Sequence, residues 1–196
     1  MPPATATIIF VTTRGMEKMN KAFRLAENFL LTLEHVVYPF DYAYQDVHAE
    51  ISLNGTRYSA VGHSPSPCVL TLPLQTEFLS LPCVETVSIP ITDDRIAQLF
   101  LTESSKTPAT YFIPIQDFLT PKAILDYTKP DLNTIRPDTW QHLYCSQYVL
   151  LFLRYCAEHG ILALPAHKLA YLHPSYINSR TCTPAHLRHI VDRMLT

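Results

Sequence analysis

The chain has 196 residues, of which 47% are hydrophobic and 16% are charged, and its formal net charge is −2. This balance is typical of a globular protein and not of a disordered chain, and the length predicts a single domain over residues 1–196. Because lysine and arginine (15) do not outnumber aspartate and glutamate (17), we expect no nucleic-acid-binding surface.

The five cysteines are an odd number and include no Cys-x-x-Cys pair. This usage predicts free thiols in a reducing compartment instead of a disulfide scaffold. The apolar run near the N-terminus is too short for the core of a signal peptide or for a membrane span. We therefore expect a cytoplasmic protein with no stable membrane insertion.

The first half of the chain predicts a strand, a helix and a hairpin. The β-branched run over residues 7–12 indicates a buried strand. From residue 16 to about 34, apolar residues recur at three- and four-residue steps, which predicts an amphipathic helix. The pair Asn54-Gly55 favours a tight turn, because both residues tolerate positive φ, and so predicts a hairpin between residues 47–53 and 56–61.

The register of this hairpin predicts which side chains share a face. With Asn54 and Gly55 as the two loop residues, Glu50 lies opposite Ser59 and His48 lies opposite Val61. One face then contains His48, Glu50, Ser52, Arg57, Ser59 and Val61. The other face contains Ala49, Ile51, Leu53 and Tyr58.

The middle of the chain is harder to assign. Prolines and serines interrupt short apolar runs between residues 62 and 90, which predicts loops and brief strands instead of helices. The run Thr92-Asp93-Asp94 is typical of a helix start, and the helix should extend to about residue 103. A strand is predicted over residues 111–114, and a long connection over residues 121–137.

Two helices are predicted in the last third. Asp138-Thr139 should cap a helix over about residues 140–159, with Gly160 as its stop signal. Thr183 and Pro184 should begin a C-terminal helix. Helices mixed with short hairpin-type strands predict an α+β fold, in which a small antiparallel sheet packs against the helix that carries Cys145.

Cys145 is the candidate nucleophile. Its helical face also contains Val149, Phe152 and Cys156, and a free cysteine on such a face is usually a small core residue. Cys145, however, lies in the first turns of the helix, where the helix dipole favours the thiolate, whereas Cys156 lies at the opposite end. We therefore predict that Cys145 is reactive and that Cys156 is part of the core.

His48 is the candidate base. A lone histidine in a strand is more often structural, yet Glu50 lies one pleat away on the same face and Ser59 is a diagonal neighbour across the hairpin. A polar group of this kind would orient the imidazole, as a Cys-His site requires. Glu50 is the first choice for this third residue, and Ser59 and His63 are the alternatives.

Other chemistry is poorly supported by the sequence. No His-x-x-x-His or His-Glu-x-x-His pair is present, the four glycines form no phosphate-binding loop, and no Gly-x-Ser-x-Gly motif occurs. We therefore expect neither a metal ion nor a cofactor.

Three motifs together resemble a known family. They are His48-Ala49-Glu50-Ile51 followed by a glycine hairpin, the helix start Tyr144-Cys145-Ser146-Gln147, and the stretch over residues 178–187. These motifs resemble the circularly permuted NlpC-type branch of the papain-like cysteine hydrolases. In that branch the histidine strand precedes the cysteine helix, as it does here.

The resemblance implies a papain-like fold in permuted order. It also implies a cysteine hydrolase that cleaves an amide, isopeptide or ester bond through a thioester, with Cys145 as nucleophile and His48 as base. The family position of the third residue falls near Ser59. Members include cell-wall amidases, lipid acyltransferases and viral proteins, so a protein, peptide or lipid substrate is implied. The alternatives are a phospholipase or acyltransferase, and a non-catalytic viral binding or structural protein on the same scaffold.

Overall fold

The computed structural model describes residues 4–12, 46–62, 66–113 and 135–196. The strands are β1 (Ala4–Thr12), β2 (Asp46–Leu53), β3 (Thr56–Ala60), β4 (Val69–Pro73), β5 (Val84–Ile91), β6 (Thr110–Tyr111) and β7 (His142–Leu143). The helices are α1 (Thr76–Leu79), α2 (Asp94–Lys106), α3 (Cys145–Glu158), α4 (Ala166–Leu169) and α5 (Pro184–Leu195), and short 3-10 turns occupy Pro137–Thr139 and Ala170–Leu172. The predicted helix over residues 16–34 lies outside the described residues.

The first five strands form one antiparallel sheet in the order β4-β3-β2-β1-β5. β2, which carries His48, is therefore an interior strand with a neighbour on each side. β6 and β7 form a separate two-stranded parallel sheet. The mixture of helices with an antiparallel sheet confirms the predicted fold class at this level.

The predicted hairpin is present with its predicted register. Asn54 and Gly55 adopt φ values of 50° and 76°, as a two-residue turn with positive φ at both positions requires. Leu53 pairs with Thr56 and Ile51 with Tyr58. β3 ends at Ala60, one residue before the predicted end.

The core lies between one face of the sheet and the helices. Ala49, Ile51 and Leu53 of β2 are buried, and α3 and α5 both pack on this strand. Phe100 of α2 stacks against α3, with ring centroids 6.2 Å from Tyr148 and 5.8 Å from Phe152. Each fully buried side chain of this size contributes about 1.5–3 kcal/mol. These contacts hold α3 at a fixed position against β2.

The cysteine helix begins later than the sequence predicts. The predicted start near residue 140 is wrong, because Trp140 is extended and its ring packs edge-on against Phe100. The chain then forms β7, in which Leu143 pairs with Tyr111, and the first helical residue is Cys145. Tertiary pairing therefore overrides the helix signal of Asp138-Thr139.

The prediction for residues 62–90 is also partly wrong. This region contains the single helical turn α1 and the eight-residue strand β5, which pairs with β1 along its whole length. Pro90 is accommodated in β5 because β5 is an edge strand, where a missing N–H donor leaves no ladder bond unmade.

The remaining boundaries agree more closely with the sequence. The N-cap of α2 is Asp93, whose carboxylate accepts hydrogen bonds from the backbone N–H groups of Arg95 (2.9 Å) and Ile96 (3.2 Å). α5 begins at Pro184, with the Thr183 hydroxyl as its cap, as predicted. Of the strand predicted over residues 111–114, Tyr111 lies in β6 and residues 112–113 are not in a strand. Residue 114 and most of the predicted connection over residues 121–137 lie outside the described residues. In the described ranges, every helix is too short or too polar to cross a membrane.

Candidate active site

Cys145 is the first residue of α3. The preceding residue, Tyr144, is extended (φ −137°, ψ 168°), so the helix starts abruptly at the thiol. The first backbone N–H groups of a helix have no partner within the helix, and they carry the positive end of the helix dipole. The Cys145 side chain therefore lies where a negative charge is favoured.

The start of α3 is anchored by residues 178–182. The Tyr144 hydroxyl donates to the backbone carbonyl of Ser179 and accepts from the backbone N–H of Cys182 (3.1 Å). The Ser146 hydroxyl donates to the carbonyl of Cys182. Two of the three sequence motifs thus form one structural unit, in which the third motif fixes the helix start that presents Cys145.

His48 faces three polar groups. Its Nε2 lies 2.9 Å from the Ser59 hydroxyl and 3.2 Å from Oε1 of Glu50. The third group is the Cys145 thiol, which lies close enough to the imidazole for the two groups to shift each other's pKa. Cys145 is 4% exposed and the His48 side chain is 24% exposed, so solvent reaches the site from the imidazole side.

The thiol and the imidazole shift each other's protonation. Burial by itself raises the pKa of Cys145, but the adjacent His48 and the hydrogen bond from the Ala49 backbone N–H outweigh it and lower the pKa below its ordinary value. Burial by itself lowers the pKa of His48, but Cys145 and Glu50 outweigh it and raise the pKa to about 10. These opposite shifts favour a thiolate beside an imidazolium over the neutral pair.

Glu50 is held in its ionised form. Burial by itself raises the pKa of this carboxyl, but His48 and Arg57 outweigh the burial, and the pKa lies below its ordinary value. Arg57 contacts both carboxylate oxygens. The Glu50 carboxylate consequently supports a positive charge on His48.

Tyr111 is a site residue that the sequence analysis missed. Its hydroxyl lies 3.9 Å from the Cys145 sulfur, in position to donate a hydrogen bond. Burial and the nearby thiolate raise the pKa of Tyr111, so the phenol keeps its proton. The ring lies against Gly62, where a Cβ atom would come within 3.2 Å of it. No local signal identifies Tyr111, because only the pairing of β6 with β7 brings it to the thiol.

All five cysteines are free thiols, and Cys145 differs from the others. Burial raises the pKa of Cys68 to about 11 and that of Cys156 to about 12. Both side chains belong to the hydrophobic core, as predicted for Cys156. Low reactivity is expected of such thiols, because the thiolate is the nucleophile.

The structure thus brings Cys145, His48 and Glu50 together, and it adds Ser59 at the same imidazole nitrogen as Glu50. His63, the remaining alternative for the third residue, lies outside the described residues. Among the residues that are described, no group of three or more His, Cys, Asp or Glu side chains is arranged to hold a metal ion.

Comparison of the chain with protein-family models, curated proteins and solved structures finds no match.

Proposed function

We propose that this protein is a cysteine hydrolase that cleaves an amide, isopeptide or ester bond through a thioester intermediate. The observation that carries the proposal is the Cys145 thiol at the first position of α3, next to an imidazole whose Nε2 faces Glu50 and Ser59. This arrangement contains a nucleophile, a base and an orienting group in mutual contact, as a thiol-dependent acyl transfer requires.

In the first half of the reaction, the Cys145 thiolate attacks the carbonyl carbon, a C–S bond forms and the carbonyl π electrons move to the oxygen. Collapse of this intermediate expels an amine or alcohol, which takes a proton from the His48 imidazolium. The neutral imidazole then accepts a proton from a water molecule whose oxygen attacks the thioester. The thiolate leaves, and the thiolate-imidazolium pair is restored.

The negative charge on the substrate oxygen needs nearby donors. Backbone N–H groups of the first turn of α3 and the Tyr111 hydroxyl are the donors adjacent to Cys145. Because Tyr111 keeps its proton, it remains a donor throughout the reaction.

The arrangement also supports the permuted papain-like order that the sequence resembles. The histidine lies on an interior strand of an antiparallel sheet, and the cysteine begins a helix packed on that strand later in the chain. Ser59, near the family position of the third residue, reaches the imidazole from the neighbouring strand. On these grounds we propose that the chain belongs to this class.

Selective labelling tests the proposal without knowledge of the substrate. We expect limiting amounts of iodoacetamide or a thiol-reactive acyl probe at pH 6–7 to modify Cys145 faster than the other four cysteines, because a neighbouring cation lowers the pKa of Cys145. Peptide mapping by mass spectrometry measures the site of modification.

Cys83 provides the internal control for this labelling, because it is a free and partly exposed thiol. Faster modification of Cys83 than of Cys145 at pH 6 would show that access, and not activation, determines reactivity. The hydrolase proposal would then fail.

A second prediction concerns Tyr111. Replacement by phenylalanine should lower kcat by about 10²-fold, because one hydrogen-bond donor to the developing oxyanion is lost. KM should change little, since the ring still packs against Gly62. Steady-state kinetics on a substrate of the wild-type protein measures both constants, and an unchanged kcat would remove Tyr111 from the mechanism.

A further inference from the structure

We infer that Arg57 is a positioning residue of this site, which acts on the reaction only through Glu50. The inference deepens the proposed function and rests on it. Arg57 shares the polar face of the hairpin with His48 and Glu50, and the sequence analysis assigned it no role.

The contact between Arg57 and Glu50 is a two-point one. Arg57 pairs with Ser52 across the hairpin, so Glu50 is its diagonal neighbour, within reach of a long side chain. Nε donates to Oε2 at 2.8 Å, and one terminal nitrogen donates to Oε1 at 3.0 Å. A planar guanidinium bound at both oxygens fixes the plane of the carboxylate as well as its position.

The decisive atom is Oε1 of Glu50. This oxygen accepts from Arg57 and also lies 3.2 Å from Nε2 of His48. The same terminal nitrogen also lies 2.7 Å from Oε2, so rotation of the carboxylate away from His48 would lose the Arg57 hydrogen bond to Oε1 while Oε2 stays held. Arg57 therefore favours the orientation in which a negatively charged oxygen faces the imidazole.

Arg57 is itself held from a second side. Its guanidinium carbon lies 3.5 Å from the ring centroid of Phe78 on α1, a distance at which a cation is attracted to the ring face. The side chains of Arg57 and Glu50 are 11% and 6% exposed, so water screens the pair weakly. A continuous chain of contacts thus runs from Phe78 through Arg57, Glu50 and His48 to the nucleophile.

Loss of Arg57 should change protonation as well as geometry. A buried carboxylate without its cation takes up a proton more readily, and a protonated Glu50 no longer supports the imidazolium. The resulting loss of support for the imidazolium moves the acid limb of Cys145 reactivity to higher pH.

The test is the rate of Cys145 alkylation by iodoacetamide as a function of pH, measured on the full chain. We expect Arg57→Gln to move the acid limb upward by about 1 pH unit. Arg57→Lys keeps the positive charge but loses the two-point hydrogen bonding to the carboxylate. It should shift the acid limb of the alkylation profile by less. Phe78→Leu keeps an apolar side chain of similar size but removes the aromatic ring on which the Arg57 guanidinium lies. It should shift the acid limb in the same direction by a smaller amount.

Two further variants separate positioning from general damage. Arg188→Gln removes a comparable arginine, 16% exposed, which pairs with Glu85 at 3.2 Å and lies 5.0 Å from the Phe10 ring centroid. The pH dependence of Cys145 alkylation in Arg188→Gln should match that of the wild-type protein. In a Glu50→Gln background, Arg57→Gln should have no additional effect, because the residue through which Arg57 acts is already neutral.

The outcomes distinguish the two proposals. If wild-type Cys145 titrates like an ordinary thiol, the hydrolase proposal fails and this inference fails with it. If wild-type Cys145 has a low pKa and folded Arg57→Gln gives the same profile, only the positioning role of Arg57 is refuted. A full shift in the Glu50→Gln background would likewise refute action through Glu50. If Arg57→Gln does not fold, the test uses Arg57→Lys and Phe78→Leu instead. Wild-type alkylation profiles in both of these variants would refute the positioning role.

Discussion

Replacement of Cys145 by alanine will abolish turnover and lower the rate by at least about 10³-fold, since no other group can form the thioester. The fold should persist, because the start of α3 is anchored by Tyr144 and Ser146 and not by the thiol. The measurement uses ubiquitin-type, peptide and phospholipid ester substrates, with mass spectrometry of the acyl-enzyme and circular dichroism as the test of folding.

Cys156→Ala is the matched control, because Cys156 lies on the same helix and is fully buried. It should lower stability by about 1 kcal/mol and leave turnover unchanged. Full activity of Cys145→Ala on a substrate that the wild-type protein turns over would end the enzymatic proposal. A non-catalytic binding protein on this scaffold would then be the better account.

Replacement of His48 by alanine will remove both the base and the cation that lowers the pKa of Cys145. Burial then raises the Cys145 pKa against only the Ala49 N–H and the Tyr111 hydroxyl, so the alkylation rate at pH 7 should fall by about 10²-fold. Turnover should fall further, since the leaving group also loses its proton donor. Two measurements from pH 5 to 10.5 separate these effects. Alkylation reports the loss of the cation that lowers the Cys145 pKa, and steady-state kinetics also reports the loss of the proton donor.

The raised pKa of His48 determines how the rate of acyl transfer by the wild-type protein should change with pH. The pKa of His48 is raised to about 10, so the imidazolium that protonates the leaving group is present below that pH and is lost as the pH rises through it. Acyl transfer should therefore decline above about pH 10 while alkylation of the thiolate does not. Glu50→Gln should move this decline to lower pH and reduce turnover less than His48→Ala does. A decline near pH 6.5 in the wild-type protein would contradict a raised His48 pKa.

The half of the candidate site that lies on the hairpin could be predicted from the sequence. A two-residue Asn54-Gly55 turn fixes the register of both strands, and register alone determines which side chains share a face. The sequence therefore placed Glu50 and Ser59 next to His48 without any knowledge of the fold. It did not indicate that both approach the same nitrogen, since that depends on side-chain rotamers.

The other half depends on contacts between distant segments. Tyr111 reaches the thiol only because β6 pairs with β7, and the same pairing delays the helix start to Cys145. The sequence predicts a strand that begins at Tyr111, but strands of two residues have no periodicity that would reveal their partner. β5 was missed for a related reason, because proline is a poor strand signal even where an edge strand tolerates it.

The two halves of the site also differ in when they can form during folding. The contacts of His48 with Ser59 and of Arg57 with Glu50 span only 11 and 7 residues of chain, so they require little loop closure. Cys145 is carried by a segment that joins them only when α3 docks on β2. We therefore expect a nascent or partly unfolded chain to carry an ordinary, slowly reacting thiol. Under the proposed function, selective alkylation of Cys145 then serves as a chemical report of the native state.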